Sequence, residues 1–163
     1  MRRTQISVTV FLKCQSKYLF LLRSPERTVD ANRLNGIGGK VESGENFLDT
    51  ALRETQEETG YLVTAEQTRW AGMANLEGGY PVDWITVFFV IEVDSLEIPV
   101  GHDTREGQLM WLKPDEVLKT EYELVDDLYY LWPCVIKRQP FFLQATLNDQ
   151  EKIAKHSLTI LPK

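Results

Sequence analysis

The stretch Gly39-Lys-Val-Glu-Ser-Gly-Glu-Asn-Phe-Leu-Asp-Thr-Ala-Leu-Arg-Glu-Thr-Gln-Glu-Glu-Thr-Gly-Tyr61 decides the fold of this chain of 163 residues. Its second half repeats apolar or small residues at helical spacing, at Phe47, Leu48, Ala51, Leu52 and Thr55. Gly60 can adopt the left-handed conformation that commonly ends a helix. The pattern therefore predicts one short helix, with the residues from Phe47 to Leu52 facing a core.

Three glutamates fall on a neighbouring stripe of the same predicted helix, because positions three and four apart lie over one another. They are Glu54, Glu57 and Glu58. Seen alone, such a cluster is typical of a solvated helix face. Here Gly38 and Gly39 precede it, and glycines allow backbone groups to approach a ligand closely. Since Mg²⁺ prefers carboxylate oxygens and keeps waters and substrate phosphates as further ligands, the stripe predicts a magnesium site.

The stretch resembles the signature of the Nudix hydrolases, G-x5-E-x7-R-E-U-x-E-E-x-G-U, in which U is a bulky aliphatic residue. Every fixed position is matched, by Gly39, Glu45, Arg53, Glu54, Glu57, Glu58 and Gly60. Thr55 and Tyr61 depart from the pattern at the U positions, and we expect both to pack in the core. The resemblance implies hydrolysis of a nucleoside diphosphate linked to another group, with Mg²⁺ as cofactor and Mn²⁺ as a substitute.

The resemblance also implies roles for individual residues. Glu54 and Glu58, together with the Gly38 carbonyl, are expected metal ligands. Glu57 is expected as a further ligand or as the general base, and Arg53 as the partner that holds a glutamate side chain. A salt bridge between Arg53 and Glu45 that merely supports the loop is the structural alternative. Lys40 is expected near the phosphates.

The chain is similar over most of its length to the MutT-like subgroup, which includes an oxidised-purine nucleoside triphosphatase. Leu34-Asn-Gly-Ile-Gly-Gly-Lys-Val41 resembles the Trp-Asn-Gly-Phe-Gly-Gly-Lys-Val of that enzyme. By this resemblance Asn35 contacts the base, and Arg23 takes the place of a pocket lysine. Glu106 matches a loop glutamate that also contacts metal, so Glu57, Glu106 and Arg53 form the expected catalytic set.

The pair Asp126 and Asp127 matches two aspartates that bind the base in that subgroup. Two neighbouring carboxyls raise the pKa of one, so that one can donate a hydrogen bond while the other accepts. The alternative is that the pair only caps the next helix. Leu124 and Tyr130 replace two tryptophans of the relative, which reduces the aromatic area expected around the base.

Composition narrows the possible functions. The length and the 43% hydrophobic content suit a single domain over residues 1–163. The net charge of -6 argues against a nucleic-acid polymer as partner. Two cysteines predict neither a zinc site nor a disulfide framework. No stretch resembles a signal peptide or a membrane span. We therefore expect a cytoplasmic protein, monomeric or homodimeric, that acts on a small nucleotide without contacting a membrane.

The remaining pattern predicts strands, most clearly at residues 5–13, 18–23 and 84–93, where alternating or β-branched residues are concentrated. Residues 84–93 are the expected central strand. Pro114 is expected in the first turn of a helix, and Leu128 to Ile136 in another. The predicted architecture is an α/β Nudix fold, a mixed β-sheet sandwiched between helices.

The leading functional hypothesis is Mg²⁺-dependent hydrolysis of a nucleoside triphosphate to a monophosphate and pyrophosphate, with oxidised purines such as 8-oxo-dGTP as substrates. Two alternatives stay open. One is a Nudix hydrolase that acts on dinucleoside polyphosphates or nucleotide sugars, and the other is a nucleotide-binding module without turnover.

Overall fold

The computed structural model describes residues 1–162. Its helices are α1 (Phe47–Thr59) and α2 (Leu128–Ile136). Its strands are β1 (Thr4–Cys14), β2 (Lys17–Arg23), β3 (Arg33–Asn35), β4 (Ile37–Lys40), β5 (Thr68–Glu77), β6 (Asp83–Glu92), β7 (Gly107–Leu112), β8 (Glu123–Leu124), β9 (Phe141–Leu147) and β10 (Ile153–Ile160). The helix expected at Pro114 is wrong: the chain there forms only a 3₁₀ turn at Val117–Lys119. Neither helix in the described part of the chain is long and apolar enough to cross a membrane.

One mixed sheet contains all the strands, in the order β10-β9-β5-β6-β1-β2-β3-β8, with β4 paired to β1 and β7 to β2. Strands β1 and β6 run parallel from the pair Thr4 and Asp83 to the pair Lys13 and Glu92. Strand β6 also pairs with β5, in antiparallel orientation. The prediction that residues 84–93 form a central strand is confirmed.

The two helices cover opposite faces of this sheet. Alternate residues of β1 point to different cores, since side chains alternate across a strand. Phe11 packs with Trp132 of α2, with ring centroids 5.3 Å apart. Val10 belongs to the other core, which includes Ala51 of α1. The predicted sandwich of a mixed sheet between helices is confirmed.

Helix α1 ends at the glycine that the sequence predicts, and it begins with a capping box. At its start, the Asn46 side chain accepts from the Asp49 N–H and the Asp49 carboxylate accepts from the Asn46 N–H, which forms a capping box. At its end, Gly60 has φ of 80°. Thr55 is fully buried and Tyr61 is 8% exposed, so both departures from the aliphatic pattern pack in the core as expected.

The prediction that Phe47 faces the core is wrong, because its side chain is 40% exposed. The buried residues of α1 are Thr50, Ala51, Thr55 and Thr59. The helix thus packs through small side chains, which bring its backbone close to the sheet at β4. That closeness places the glutamates of α1 directly beside the glycines of β4.

Candidate active site

The two glycines of β4 make room for two carboxylates of α1. Gly38 has φ of 154°, and a Cβ there would lie 2.0 Å from the Val8 carbonyl oxygen. Its N–H donates to the Glu58 carboxylate at 2.9 Å. A Cβ on Gly39 would lie 2.2 Å from Glu54 Oε1. Gly39 therefore leaves room for Glu54, while Gly38 lets β4 approach β1 closely and binds Glu58 through its N–H.

Arg53 fixes the acidic residues around it. Its Nε and Nη2 donate to the two carboxylate oxygens of Glu45, at 2.7 and 3.0 Å, in the bidentate geometry that is strongest for this pair. Its Nη1 donates to Glu54 at 2.9 Å and to Glu57 at 3.2 Å. The hydrogen bonds from Arg53 lower the pKa of Glu45 to about 2. Arg53 therefore supports the loop and positions Glu54, which unites its two predicted roles.

A first cavity of about 700 Å³ lies in front of α1. It is bordered by all three glutamates of the predicted stripe and by Glu106 from the loop before β7. The structure thus gathers Glu54, Glu57, Glu58 and Glu106 around one space, together with Gly38 and Arg23. We call this space the acidic cavity.

The acidic cavity concentrates negative charge. Burial, together with the neighbouring charges of Glu54 and Glu106, raises the pKa of Glu58 to about 8, against the opposing hydrogen bond from Gly38. Burial also raises the pKa of Glu54, although Arg53 partly offsets this effect. The positively charged groups near these carboxylates are too few to neutralise them.

The carboxylates are more dispersed than the expected compact patch. Within residues 1–162, no three His, Cys, Asp or Glu side chains are grouped closely enough to hold a metal ion by themselves. Glu57 is 59% exposed, whereas Glu54 is only 14% exposed. Glu106 pairs with Arg27 at 2.8 Å. The donor set still fits Mg²⁺, because this ion uses one or two carboxylates and completes its shell with water and phosphate oxygens.

A second cavity of about 340 Å³ adjoins the first and shares Arg23, Gly38, Gly39 and Glu58 with it. We call it the distal cavity. Of the residues predicted to bind substrate, Arg23, Asn35, Lys40 and Asp127 border it. The Asn35 side chain accepts from the Gly36 N–H at 2.8 Å, and Arg23 Nε donates to the Val29 carbonyl at 2.9 Å.

Asp126 does not border the distal cavity. Its Oδ2 accepts from the Ile153 N–H of β10 at 2.6 Å, and Lys152 lies 3.8 Å from its Oδ1. The prediction of a paired Asp126 and Asp127 facing the base is therefore wrong for Asp126. The capping alternative is also wrong, since Asp127 precedes α2 without a side-chain capping hydrogen bond. Burial raises the pKa of Asp127 to about 7, with a further contribution from the charge of Asp30.

Asp30 and Tyr80 border the distal cavity but were not among the predicted site residues, and Trp84 borders it as well. The two positions noted for lost aromatic area lie elsewhere. Leu124 is a core residue that is 1% exposed. Tyr130 packs on His156, with ring centroids 4.5 Å apart. Aromatic side chains thus reach the cavity from β6 and from the β5–β6 turn. The signal in the sequence was only an aromatic residue near the start of the strongest predicted strand.

Comparison with known proteins identifies the family. The sequence profile of the NUDIX domain matches residues 2–132. The oxidized purine nucleoside triphosphate hydrolase of Mus musculus is 28% identical over 140 residues, which cover 85% of this chain and 85% of that protein. The 8-oxo-dGTP diphosphatase of Escherichia coli K12 is 30% identical over 112 residues, which cover 69% of this chain and 83% of that protein.

The fold is shared with solved structures as well. The crystal structure of a MutT mutator protein from Bacillus halodurans matches with a TM-score of 0.78 at 21% identity, and the match covers 94% of this chain and 97% of that one. The profile covers most of the chain, and four of the seven fixed signature residues border the acidic cavity, namely Gly39, Glu54, Glu57 and Glu58. This chain therefore belongs to the Nudix family and is a pyrophosphohydrolase that acts on phosphoanhydride bonds.

Proposed function

We propose that this enzyme hydrolyses purine nucleoside triphosphates to monophosphate and pyrophosphate with Mg²⁺, and that oxidised purines such as 8-oxo-dGTP are among its substrates. The observation that carries the proposal is the pair of adjoining cavities, which share Gly38, Gly39 and Glu58 as a common wall. A nucleotide whose triphosphate lies in the acidic cavity would have its nucleoside in the distal cavity.

The acidic cavity suits a polyphosphate only with a cation, because its carboxylates would otherwise repel the phosphates. Glu54, Glu58 and the Gly38 carbonyl would hold Mg²⁺, with Glu57 or Glu106 completing the set. Nudix hydrolases generally use divalent metal ions. Bound Mg²⁺ supplies neutralisation of phosphate charge and makes an attacking water more acidic.

Residues of the chain itself supply positioning. Arg53 orients Glu54 through the hydrogen bond of 2.9 Å. Arg23 borders both cavities, which supports a role for it in binding phosphate oxygens between them. Lys40, at the end of β4, offers a further positive charge beside the same wall. Glu57, which is 59% exposed, is open to water, and we assign it the role of general base or further metal ligand.

The distal cavity suits a purine. Trp84 and Tyr80 supply aromatic surface, and stacking on such side chains is worth ~1–3 kcal/mol per base in nucleic-acid sites. Asn35 and Asp127 supply polar groups for the edge of the base. The names of the mouse and Escherichia coli relatives support a purine triphosphate, including its oxidised form, as the substrate class.

A substrate panel with Mg²⁺ tests the proposal by measuring the products released. We expect dGTP, dATP and 8-oxo-dGTP to yield monophosphate and pyrophosphate more efficiently than a dinucleoside polyphosphate or a nucleotide sugar yields its products. Preference for either of the latter would overturn the proposed substrate class. Binding of triphosphates without any turnover would instead favour a nucleotide-binding module.

A further inference from the structure

The C-terminal hairpin, formed by β9 and β10, contacts residues on two segments near the distal cavity. It lies beyond residues 2–132, which match the family profile. The Ile153 N–H at the start of β10 binds the Asp126 carboxylate. The hairpin thereby holds Asp126 outside the cavity and leaves Asp127 without its sequence neighbour as a partner in binding a base.

The same hairpin holds a different aspartate at the cavity. Arg33, at the start of β3, is 15% exposed, and its Nη1 donates both to Asp30 Oδ1 and to Glu151 in the turn between β9 and β10. Its Nε lies 3.3 Å from Glu123. Arg33 therefore links the loop that carries Asp30 to the C-terminal hairpin.

Asp30 uses only one of its two carboxylate oxygens in hydrogen bonds within residues 1–162. Its Oδ1 accepts from the Tyr80 hydroxyl at 2.7 Å as well as from Arg33. Within residues 1–162, no hydrogen bond reaches Oδ2. Asp30 and Asp127 both border the distal cavity, and they approach it from different parts of the chain.

We propose that Asp30 replaces Asp126 as the second carboxyl group of the distal cavity and determines, with Asp127, which purine edge is bound. This inference rests on the proposed function, because it assumes that the distal cavity receives the base. Asp127 donates through its protonated carboxyl group, a state favoured by its burial. Asp30, paired with Arg33, accepts through Oδ2. The fixed order of donor and acceptor selects the base, because guanine presents its O6 acceptor beside the N1–H donor, whereas adenine presents its amino donor and N1 acceptor in the reverse order.

Equilibrium binding of monophosphates tests the inference without requiring hydrolysis. We would measure the affinities of dGMP, 8-oxo-dGMP and dAMP by calorimetry for the wild type and for Asp30→Asn. We expect the wild type to bind the three monophosphates with different affinities. The ratio between its highest and lowest affinity should fall about tenfold in Asp30→Asn. In steady-state hydrolysis, the same variant should raise KM for the preferred triphosphate while kcat changes less than twofold.

Matched variants separate base recognition from structural support. Glu151→Gln removes another partner of Arg33 without altering the lining of the cavity, and Asp126→Asn weakens the contact with β10. Both should retain the discrimination of the wild type within twofold. Asp30→Glu keeps the negative charge beside Arg33 but displaces the carboxylate by one methylene, so it should lose discrimination while melting close to the wild type.

The outcomes distinguish this inference from the proposed function. Equal loss of discrimination in Glu151→Gln and Asp30→Asn would overturn a direct role for Asp30, as would a loss confined to Asp126→Asn. Wild-type protein that binds all three monophosphates equally, or none of them, would also overturn it, although hydrolysis of triphosphates would leave the proposed function standing. Selective binding of monophosphates that Asp30→Asn abolishes would support the inference even if triphosphates were not hydrolysed.

Discussion

Replacement of Gly39 by alanine tests the link between the glycines of β4 and the acidic cavity. The added methyl group would lie 2.2 Å from Glu54 Oε1, which must retreat by about 1 Å to reach ordinary van der Waals contact. The obstacle is the end of a flexible side chain, so we expect the protein to fold. A misplacement of ~1 Å in a catalytic group can cost ~100-fold in rate. We therefore expect kcat/KM to fall by about 10- to 100-fold and the Mg²⁺ concentration needed for half-maximal rate to rise.

The assay is pyrophosphate release from dGTP across a Mg²⁺ titration, with thermal melting of each variant as the check on folding. Gly44→Ala is the control for an added methyl group, because its Cβ would meet nothing within 4 Å; unlike Gly39, Gly44 has a positive φ, 87°, which strains any side chain there. It should lose stability slightly and keep its Mg²⁺ dependence. Gly38→Ala should instead lose the fold, since its Cβ would meet the Val8 backbone. Wild-type activity and Mg²⁺ dependence in Gly39→Ala would refute the reasoning.

Two further predictions concern the distal cavity. Because the folded protein raises the pKa of Asp127 to about 7, it binds more protons than the unfolded chain between pH ~4 and ~7. The free energy of unfolding of the wild type therefore falls as pH rises through this window. In urea unfolding, Asp127→Asn should become progressively more stable relative to the wild type as the pH is raised from 5 to 8. A relative loss over that range would contradict the assignment. Trp84→Ala should raise KM for dGTP about tenfold or more through lost stacking, which is worth ~1–3 kcal/mol, and leave kcat nearly unchanged. A fall in kcat with an unchanged KM would place Trp84 outside base binding.

The local parts of the fold follow from sequence because their signals lie within a few residues of one another. The capping residues, the small buried face and Gly60 define α1 without reference to the rest of the chain. Even there, the apolar Phe47 misled the prediction, since periodicity does not show that threonines pack closer to β4 than a large ring could.

The distal cavity could not be predicted in the same way, because its walls meet through long-range pairing. The parallel pairing of β6 with β1 positions Trp84 at the cavity, and in this pairing Trp84 lies opposite Gln5. Asp30 is held through Tyr80 and Arg33. Asp126 lies outside the cavity because its carboxylate accepts a hydrogen bond from an N–H of β10, close to the end of the chain. The adjacency of two aspartates in sequence therefore did not predict their adjacency in the site.

The central claim is that the carboxylates of α1 bind a divalent cation together with a polyphosphate. Calorimetric titration of Mg²⁺ into the protein with a non-hydrolysable nucleoside triphosphate analogue tests it most directly, with the double variant Glu54→Gln, Glu58→Gln as comparison. Loss of metal-ligand support typically costs ~10- to 100-fold in metal affinity, and we expect the double variant to lose at least that much. Equal Mg²⁺ affinity in the wild type and the double variant would contradict the account.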